Sequence, residues 1–402
     1  MNIGRIKFYN GKVIRPDTIM ANGALLVEHD KIVGVVEGDV EFPDSLSIDV
    51  KGNYISPGFI DIHVHGGGGH DFMDATEEAF LSIARLHARY GTTAMLPTTL
   101  SGSRESLLQI VEVYDRVKSK NRDGSEFLGL HLEGPYFAMS QRGAQDPRYV
   151  RDPDPEEYKH VLSMTDSIKR WSAAPELKGA IEFAQYLRSK NVLPALAHTD
   201  AIYEEVIVAF EQGYTLATHL YSAMSGVTRR NAFRYAGVIE SAFLIDEMDV
   251  EIIADGVHLP APLLKLVYKI KGPARTALIT DAMRAAGLPA GKSMLGSITD
   301  GLPVIVEDGV AKLPDRSSFA GSVATTDRLV RTMVNIAEIS LLDAVTMMSA
   351  TPARIIGVSQ NKGSLAKGLD ADVLVFDEKI QNLLTMIRGQ IVFDNLTNQS
   401  LT

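Results

Sequence analysis

The sequence predicts a (β/α)₈ TIM barrel with a small discontinuous β-sandwich domain formed by both chain ends. Three observations carry this expectation. Between residues 56 and 280, eight apolar strand-like runs alternate with helix-length periodic segments, the signature of a parallel sheet. Eight such units match a closed barrel. The strand-like runs within 1–56 and 357–402 are too few at either end to bury a good core alone, so the two ends are expected to pack together, with 57–356 forming the barrel.

The elements follow in order. The first unit reads as strands at 4–8, 23–28, 31–36 and Leu46–Asp49, with turn formers at Tyr9-Asn10-Gly11, Ala21-Asn22-Gly23 and Glu37-Gly38-Asp39. Barrel strands are expected at 56–62, 92–97, 127–132, 168–174, 192–197, 215–218, 250–254 and 277–280. Helical patterns lie at 76–90, 104–118, 176–189, 203–212 and 260–268, and a helical region over 322–356 closes the barrel. Runs at 372–376 and 390–393 return to the strand texture of the start. Gly66-Gly67-Gly68-Gly69 reads either as a turn or as a close backbone approach to a metal or ligand.

Composition narrows the chemistry. The chain has 402 residues, 45% hydrophobic and 22% charged, as expected of a globular protein with a large core. It has no cysteine, which removes disulfides, thiolate nucleophiles and Cys-ligated metals. Any metal must be held by His, Asp or Glu. Forty basic against fifty acidic residues give a net charge of −10, which argues against nucleic-acid partners. No apolar run approaches the length of a membrane span, and Met1-Asn2-Ile3-Gly4-Arg5 lacks a leader's apolar stretch, so a cytoplasmic protein is expected.

Histidines and acids gather at the C-terminal ends of the expected strands, where barrel enzymes build their sites. His63 and His65 stand after the first strand; in extended chain, positions i and i+2 share a face, so both rings can face one cation. Glu133 ends the third strand, where a buried carboxylate must be paired or ligated. It can bridge or anchor a divalent ion, or serve as a helix cap or ion-pair partner. His131, two residues earlier, shares its face and is read as support behind the ligands. His198 and His219 add neutral nitrogen donors. Imidazole plus carboxylate without thiolate suits Zn, Fe or Mn, with one or two ions per subunit. Such an ion makes water acidic enough to attack at neutral pH. Asp281 is the natural proton carrier, or else a structural cap; His258 can polarise a carbonyl or hold substrate, or be a loop histidine.

Pro57-Gly58-Phe59-Ile60-Asp61-Ile62-His63-Val64-His65 and Gly363-Ser364-Leu365-Ala366-Lys367-Gly368-Leu369-Asp370-Ala371-Asp372-Val373 resemble the two ends of the amidohydrolase superfamily. More narrowly, several segments resemble N-acetylglucosamine-6-phosphate deacetylases: His131-Leu132-Glu133-Gly134-Pro135, Ala197-His198-Thr199-Asp200-Ala201, Thr218-His219-Leu220-Tyr221-Ser222-Ala223-Met224, Ala254-Asp255-Gly256-Val257-His258 and Thr280-Asp281-Ala282. The resemblance implies a metal-dependent amide hydrolase in which Glu133, His198 and His219 hold the principal ion, and His63 and His65 a second in members that use two. It implies Asp281 as base and then acid, and His258 at the sugar or its amide carbonyl. It further implies a phosphorylated N-acetyl amino sugar as substrate, contacted by Gln145, Ser222, Ala223, His258 and Arg230. The last would come from the partner subunit of a homodimer. Ser222 stands where the family usually has Asn, and Gln145 where some relatives have His. Residues 226–235, with three arginines, also depart from the family pattern. The expected reaction is removal of the N-acetyl group of N-acetylglucosamine 6-phosphate. N-acetylgalactosamine 6-phosphate or another N-acyl amino sugar is the alternative substrate, and a non-catalytic scaffold the remote alternative.

Overall fold

The computed structural model describes residues 4–396. Met1-Asn2-Ile3 and residues 397–402, which belong to the expected end domain, lie outside the described residues. Eight parallel strands form the barrel: β1 (Phe59–Val64), β2 (Thr92–Thr99), β3 (Leu130–Glu133), β4 (Ile168–Ala173), β5 (Leu193–Leu196), β6 (Leu216–Ala217), β7 (Asp249–Ile252) and β8 (Thr276–Leu278). Each pairs with the next in chain order. Past the strand ends, Asp281 N donates to His63 O and His65 N to Ala282 O, both at 2.9 Å, which joins β8 to β1. Every residue of β1 and β2 is buried, because helices cover the outside of the barrel and facing strands the inside.

A helix follows each of the first seven strands, from α1 (Glu77–Arg89) after β1 to Ala261–Lys271 after β7; Thr326–Asn335, Leu341–Met348 and Ala350–Ile355 follow β8. Helix α1 shows the local logic. Thr76 Oγ1 accepts from Ala79 N at 3.2 Å and caps the start, a bond worth about 1 kcal/mol. Phe80, Ile83, Ala84 and His87 then recur at helical spacing and form the buried stripe.

The chain ends build the β-sandwich from one mixed sheet. Tyr54–Pro57 pairs antiparallel with Val373–Phe376 and parallel with Arg5–Ile14, which ties the two ends together around Phe8, Val13, Leu25, Ile55, Val373 and Leu384. Two expected turns are absent. Arg5–Ile14 and Ile19–Glu28 continue through Asn10-Gly11 and Asn22-Gly23, with the pairing register shifted on either side of Gly11 and the reversal at Arg15–Thr18. Gly11 and Gly23 face each other across the pair. A Cβ on Gly11 would sit 2.6 Å from Val50, and one on Gly23 2.7 Å from Val13, so these glycines serve packing. The run expected at 56–62 divides between Tyr54–Pro57 of the sandwich and β1 of the barrel, and that expected at 127–132 is interrupted at 128–129.

Gly66–Gly67 pairs with His70–Asp71, and Gly68 and Gly69 make the turn between them at φ 62° and 91°. Of the two readings of the glycine run, the turn is the one observed. A further four-stranded sheet was not anticipated: Gly291–Leu295, Leu302–Glu307, Val310–Lys312 and Phe319–Ser322 sit between β8 and the closing helices.

Candidate active site

The residues expected as ligands meet where the barrel strands end. His63 lies in β1 and His65 just beyond it, with Nε2 atoms 3.2 Å apart. Glu133 is the last residue of β3. His198, His219 and Asp281 stand just past β5, β6 and β8, at φ of 47°, 31° and 48°. Left-handed backbone is costly for residues with a Cβ and persists where its surroundings enforce it, often at functional sites.

Glu133 is the centre of the cluster. Its Oε1 lies 3.0 Å from His219 Nε2, 3.3 Å from His198 Nε2 and 3.5 Å from His63 Nε2; its Oε2 lies 3.4 Å from His65 Nε2. Asp281 Oδ1 is 3.0 Å from His65 Nε2 and 3.4 Å from His63 Nε2. Two triplets thus share Glu133, His63–His65–Glu133 and Glu133–His198–His219, each with donor atoms within 4.8 Å of one another. This all-nitrogen-and-oxygen set fits a divalent Zn, Fe or Mn ion.

The outer ring nitrogens support that fit. His65 Nδ1 faces the Thr98 carbonyl at 3.3 Å and His198 Nδ1 the Gln141 carbonyl at 2.8 Å. A carbonyl only accepts, so these Nδ1 atoms carry hydrogen, and each ring in its neutral form presents its Nε2 lone pair inward, as an ion requires.

Charge is concentrated among buried groups. Burial pushes Glu133 upward, but His63 and the hydrogen bonds from His198 and His219 hold it well below the usual carboxylate range. Burial favours neutral His65, yet the Asp281 hydrogen bond wins and pushes it up to about 9. At His63 burial prevails and the pKa falls. Asp281 is pushed up by burial and pulled further down by His65 and His63, so it stays ionised.

A cavity of about 480 Å³ opens over this cluster, the size of a small-molecule site. Tyr221, Ser222 and Ala223, from the turn after β6, line it together with His258. His258 Nδ1 is held 2.8 Å from Asp255 Oδ2, and its ring lies 4.7 Å from that of Phe319. Burial raises Asp255, but the His258 hydrogen bond and charge bring it below its ordinary value.

Two expected substrate contacts sit differently. Gln145 lines the cavity, but its Nε2 donates to Glu133 Oε2 and its Oε1 accepts from Ser101 N, each at 2.8 Å. Its amide is engaged in holding the carboxylate. Arg230 lies on an exposed hairpin, Thr228–Arg230 against Phe233–Tyr235, outside the cavity of its own chain.

The unanticipated sheet supplies residues that sequence reasoning missed. Lys312, Arg316, Ser317, Ser318 and Phe319 line the cavity. Lys312 Nζ pairs with Asp308 at 2.6 Å and Arg316 Nε with Glu307 at 3.0 Å. A signal was present: Asp308-Gly309 between two apolar runs is a hairpin turn pattern.

The model of the amidohydrolase family matches residues 54–397. The chain belongs to the amidohydrolase family. Among curated amidohydrolase relatives, the N-acetylglucosamine-6-phosphate deacetylase of Lysinibacillus sphaericus is 34% identical over 86% of this chain and 87% of its own. The N-acetylgalactosamine-6-phosphate deacetylase of Escherichia coli O157:H7 is 30% identical over 94% and 98%. A mutant N-acetyl-D-glucosamine-6-phosphate deacetylase of Mycobacterium smegmatis, solved with N-acetyl-D-glucosamine-6-phosphate, superposes with TM-score 0.88 at 30% identity, covering 97% of this chain and 99% of that one. Within the family, the chain groups with these amino-sugar-phosphate deacetylases.

Proposed function

We propose that this amidohydrolase removes the N-acetyl group of N-acetylglucosamine 6-phosphate, giving acetate and glucosamine 6-phosphate. The observation that carries the reading is the convergence of four histidine Nε2 atoms on Glu133, with Asp281 against His65 and His63, beside a substrate-sized cavity. Relatives with deacetylase names over nearly the whole chain support it.

Glu133, His198 and His219 would hold the principal divalent ion, and His63 and His65 with Glu133 a second. When bound, the ion supplies Lewis acidity that polarises the amide carbonyl and acidifies the attacking water. Asp281 accepts a proton from that water as the C–O bond forms. It returns the proton to the amide nitrogen as the C–N bond breaks, so that the amine leaves neutral. His258, with Nδ1–H fixed on Asp255, is placed to bind the substrate or its carbonyl oxygen. Ser222 and Ala223 line the cavity and would face the sugar, and Gln145, which lines it as well, holds Glu133 and would meet the sugar only at its edge. Arg230, outside its own cavity, would reach the site of a second copy in a homodimer and meet the phosphate there. In this reading 57–356 is the catalytic barrel and 1–56 with 357–402 its companion domain. The acidic balance, the lack of cysteine and the absence, among the described residues, of a helix able to cross a membrane support a cytoplasmic setting without nucleic-acid partners.

Ser222 in place of the usual Asn favours a second reading with N-acetylgalactosamine 6-phosphate, the kind of substrate named for the Escherichia coli relative. Acetate release by metal-reconstituted protein separates these. Preference for N-acetylglucosamine 6-phosphate over its galactosamine epimer and over unphosphorylated N-acetylglucosamine is expected. Turnover of none of them, with metal bound, would defeat the proposal.

A further inference from the structure

Barrel interiors are ordinarily filled by layers of branched apolar side chains. Here a buried ion pair occupies the interior beside the ligand cluster. Arg170 of β4 and Glu251 of β7 are both fully buried, and Arg170 grips both Glu251 oxygens, Nη2 to Oε2 at 2.8 Å. Desolvating two charges costs several kcal/mol each, and apolar residues of similar volume often serve stability equally well. Stability alone is therefore a poor reason for the pair.

Its neighbours suggest another. Glu251 Oε2 lies 3.7 Å from His63 Nδ1, a buried nitrogen without a hydrogen-bond partner. The other nitrogen of that ring, Nε2, faces Glu133, His65 and Asp281. For Nε2 to keep a lone pair, Nδ1 must carry the hydrogen, and Glu251 is the carboxylate facing it. Arg170 also donates to Ile62 O at 3.3 Å and to Thr218 Oγ1 at 2.7 Å. Ile62 directly precedes His63, and Thr218 directly precedes His219.

We infer that Glu251, clamped by Arg170, is a positioning residue that fixes the tautomer and orientation of His63 and so sets the affinity of the His63–His65 side for a divalent ion. The inference rests on the metal-site part of the proposed function. Its test uses no substrate, so it stands or falls separately from the deacetylase reading.

The experiment is a zinc titration of metal-free full-length protein against a chromophoric chelator, comparing wild type with Arg170→Met/Glu251→Leu. Removing both charges together avoids leaving one unpaired, so the double variant is expected to fold with a similar thermal midpoint. In wild type two equivalents bind. In the variant the first is expected to bind as before and the second about 10- to 100-fold more weakly. A purely structural pair would move neither affinity. Two equivalents bound as tightly as in wild type, or a wild type that takes up only one, overturns the inference. If the double variant does not fold, Glu251→Asp keeps the charge for Arg170 but draws the acceptor away from His63. The second equivalent must weaken there too, and wild-type binding overturns the inference.

Discussion

Gln145 Nε2 donates to Glu133 Oε2 at 2.8 Å, and Glu133 is the one carboxylate that both ligand triplets share. The amide therefore acts on the metal cluster through Glu133. Gln145→Leu leaves a buried carboxylate short of a donor and frees it to turn. The expected result is kcat lower by about 10- to 100-fold, with reduced metal retention and little change in KM. Steady-state kinetics with metal analysis checks this. A raised KM at unchanged kcat would make Gln145 a sugar contact instead.

Asp281→Asn removes the proton carrier while keeping its shape. General acid–base groups contribute about 10²- to 10⁴-fold, so kcat is expected to fall by that order. Asp281 lies 3.0 Å from His65, so metal content is measured in the same samples. Loss of activity at full metal content assigns the effect to proton transfer. Loss that tracks metal content would assign Asp281 to the ligand set.

Chelation is expected to abolish activity, and Zn, Fe or Mn to restore it. Four histidines and two acids crowd together in one buried cluster, so a bound ion also holds the folded state together. A ligand at 100 times its Kd adds about 2.7 kcal/mol to stability. The thermal midpoint should therefore rise on metal addition in wild type and rise far less in a His198→Ala/His219→Ala variant. Equal midpoints with and without metal would speak against a metal centre here.

The barrel is legible because its strands are buried on both sides and most read as apolar runs at regular spacing between helical segments. The ligands were legible because His63, His65, Glu133, His198, His219 and Asp281 all stand at one end of those runs. Asn10-Gly11 and Asn22-Gly23 mislead because the residues that make a hairpin turn also suit paired strands in which Gly11 and Gly23 stand opposite each other with no room for a Cβ. The sheet carrying Lys312 and Phe319 is hard to read from sequence because its short runs interrupt the strand–helix rhythm. Arg170 and Glu251 gave no signal: a charge inside a strand reads as an exposed position, and the two residues stand 81 apart. Only the closed barrel brings them together.

Arg230 lies outside its own cavity, which makes its role testable by mixing chains. Arg230→Ala is expected to raise KM for phosphorylated substrate and to matter little for an unphosphorylated sugar. Mixing Arg230→Ala chains with Asp281→Asn chains, both nearly inactive when assayed at substrate concentrations well below the raised KM, creates mixed dimers. In one site of each mixed dimer an intact Asp281 meets an Arg230 from the other chain. Random exchange in a two-fold dimer should recover about a quarter of wild-type activity. No recovery would place the arginine's action within its own chain or outside the site.

His87 offers a pH test at a histidine outside the ligand set. It is fully buried on α1, with Nε2 2.9 Å from Gly66 O, and burial brings its pKa down to about 4 from 6.5 against the opposing pull of that carbonyl. The unfolded chain takes up the His87 proton as pH drops below 6.5, whereas the folded chain resists until about 4. The unfolded state therefore binds more protons in this window, and stability falls as pH falls. Between pH 7 and pH 5 the loss from this residue is about 2 kcal/mol. His87→Gln keeps an amide donor for the Gly66 carbonyl but does not titrate. Urea unfolding of metal-free wild type and variant at the two pH values isolates the difference, since all other titrating groups are shared. The variant is expected to lose less stability than wild type on acidification. Parallel losses would mean that His87 takes up its proton in the folded protein as readily as in the unfolded one.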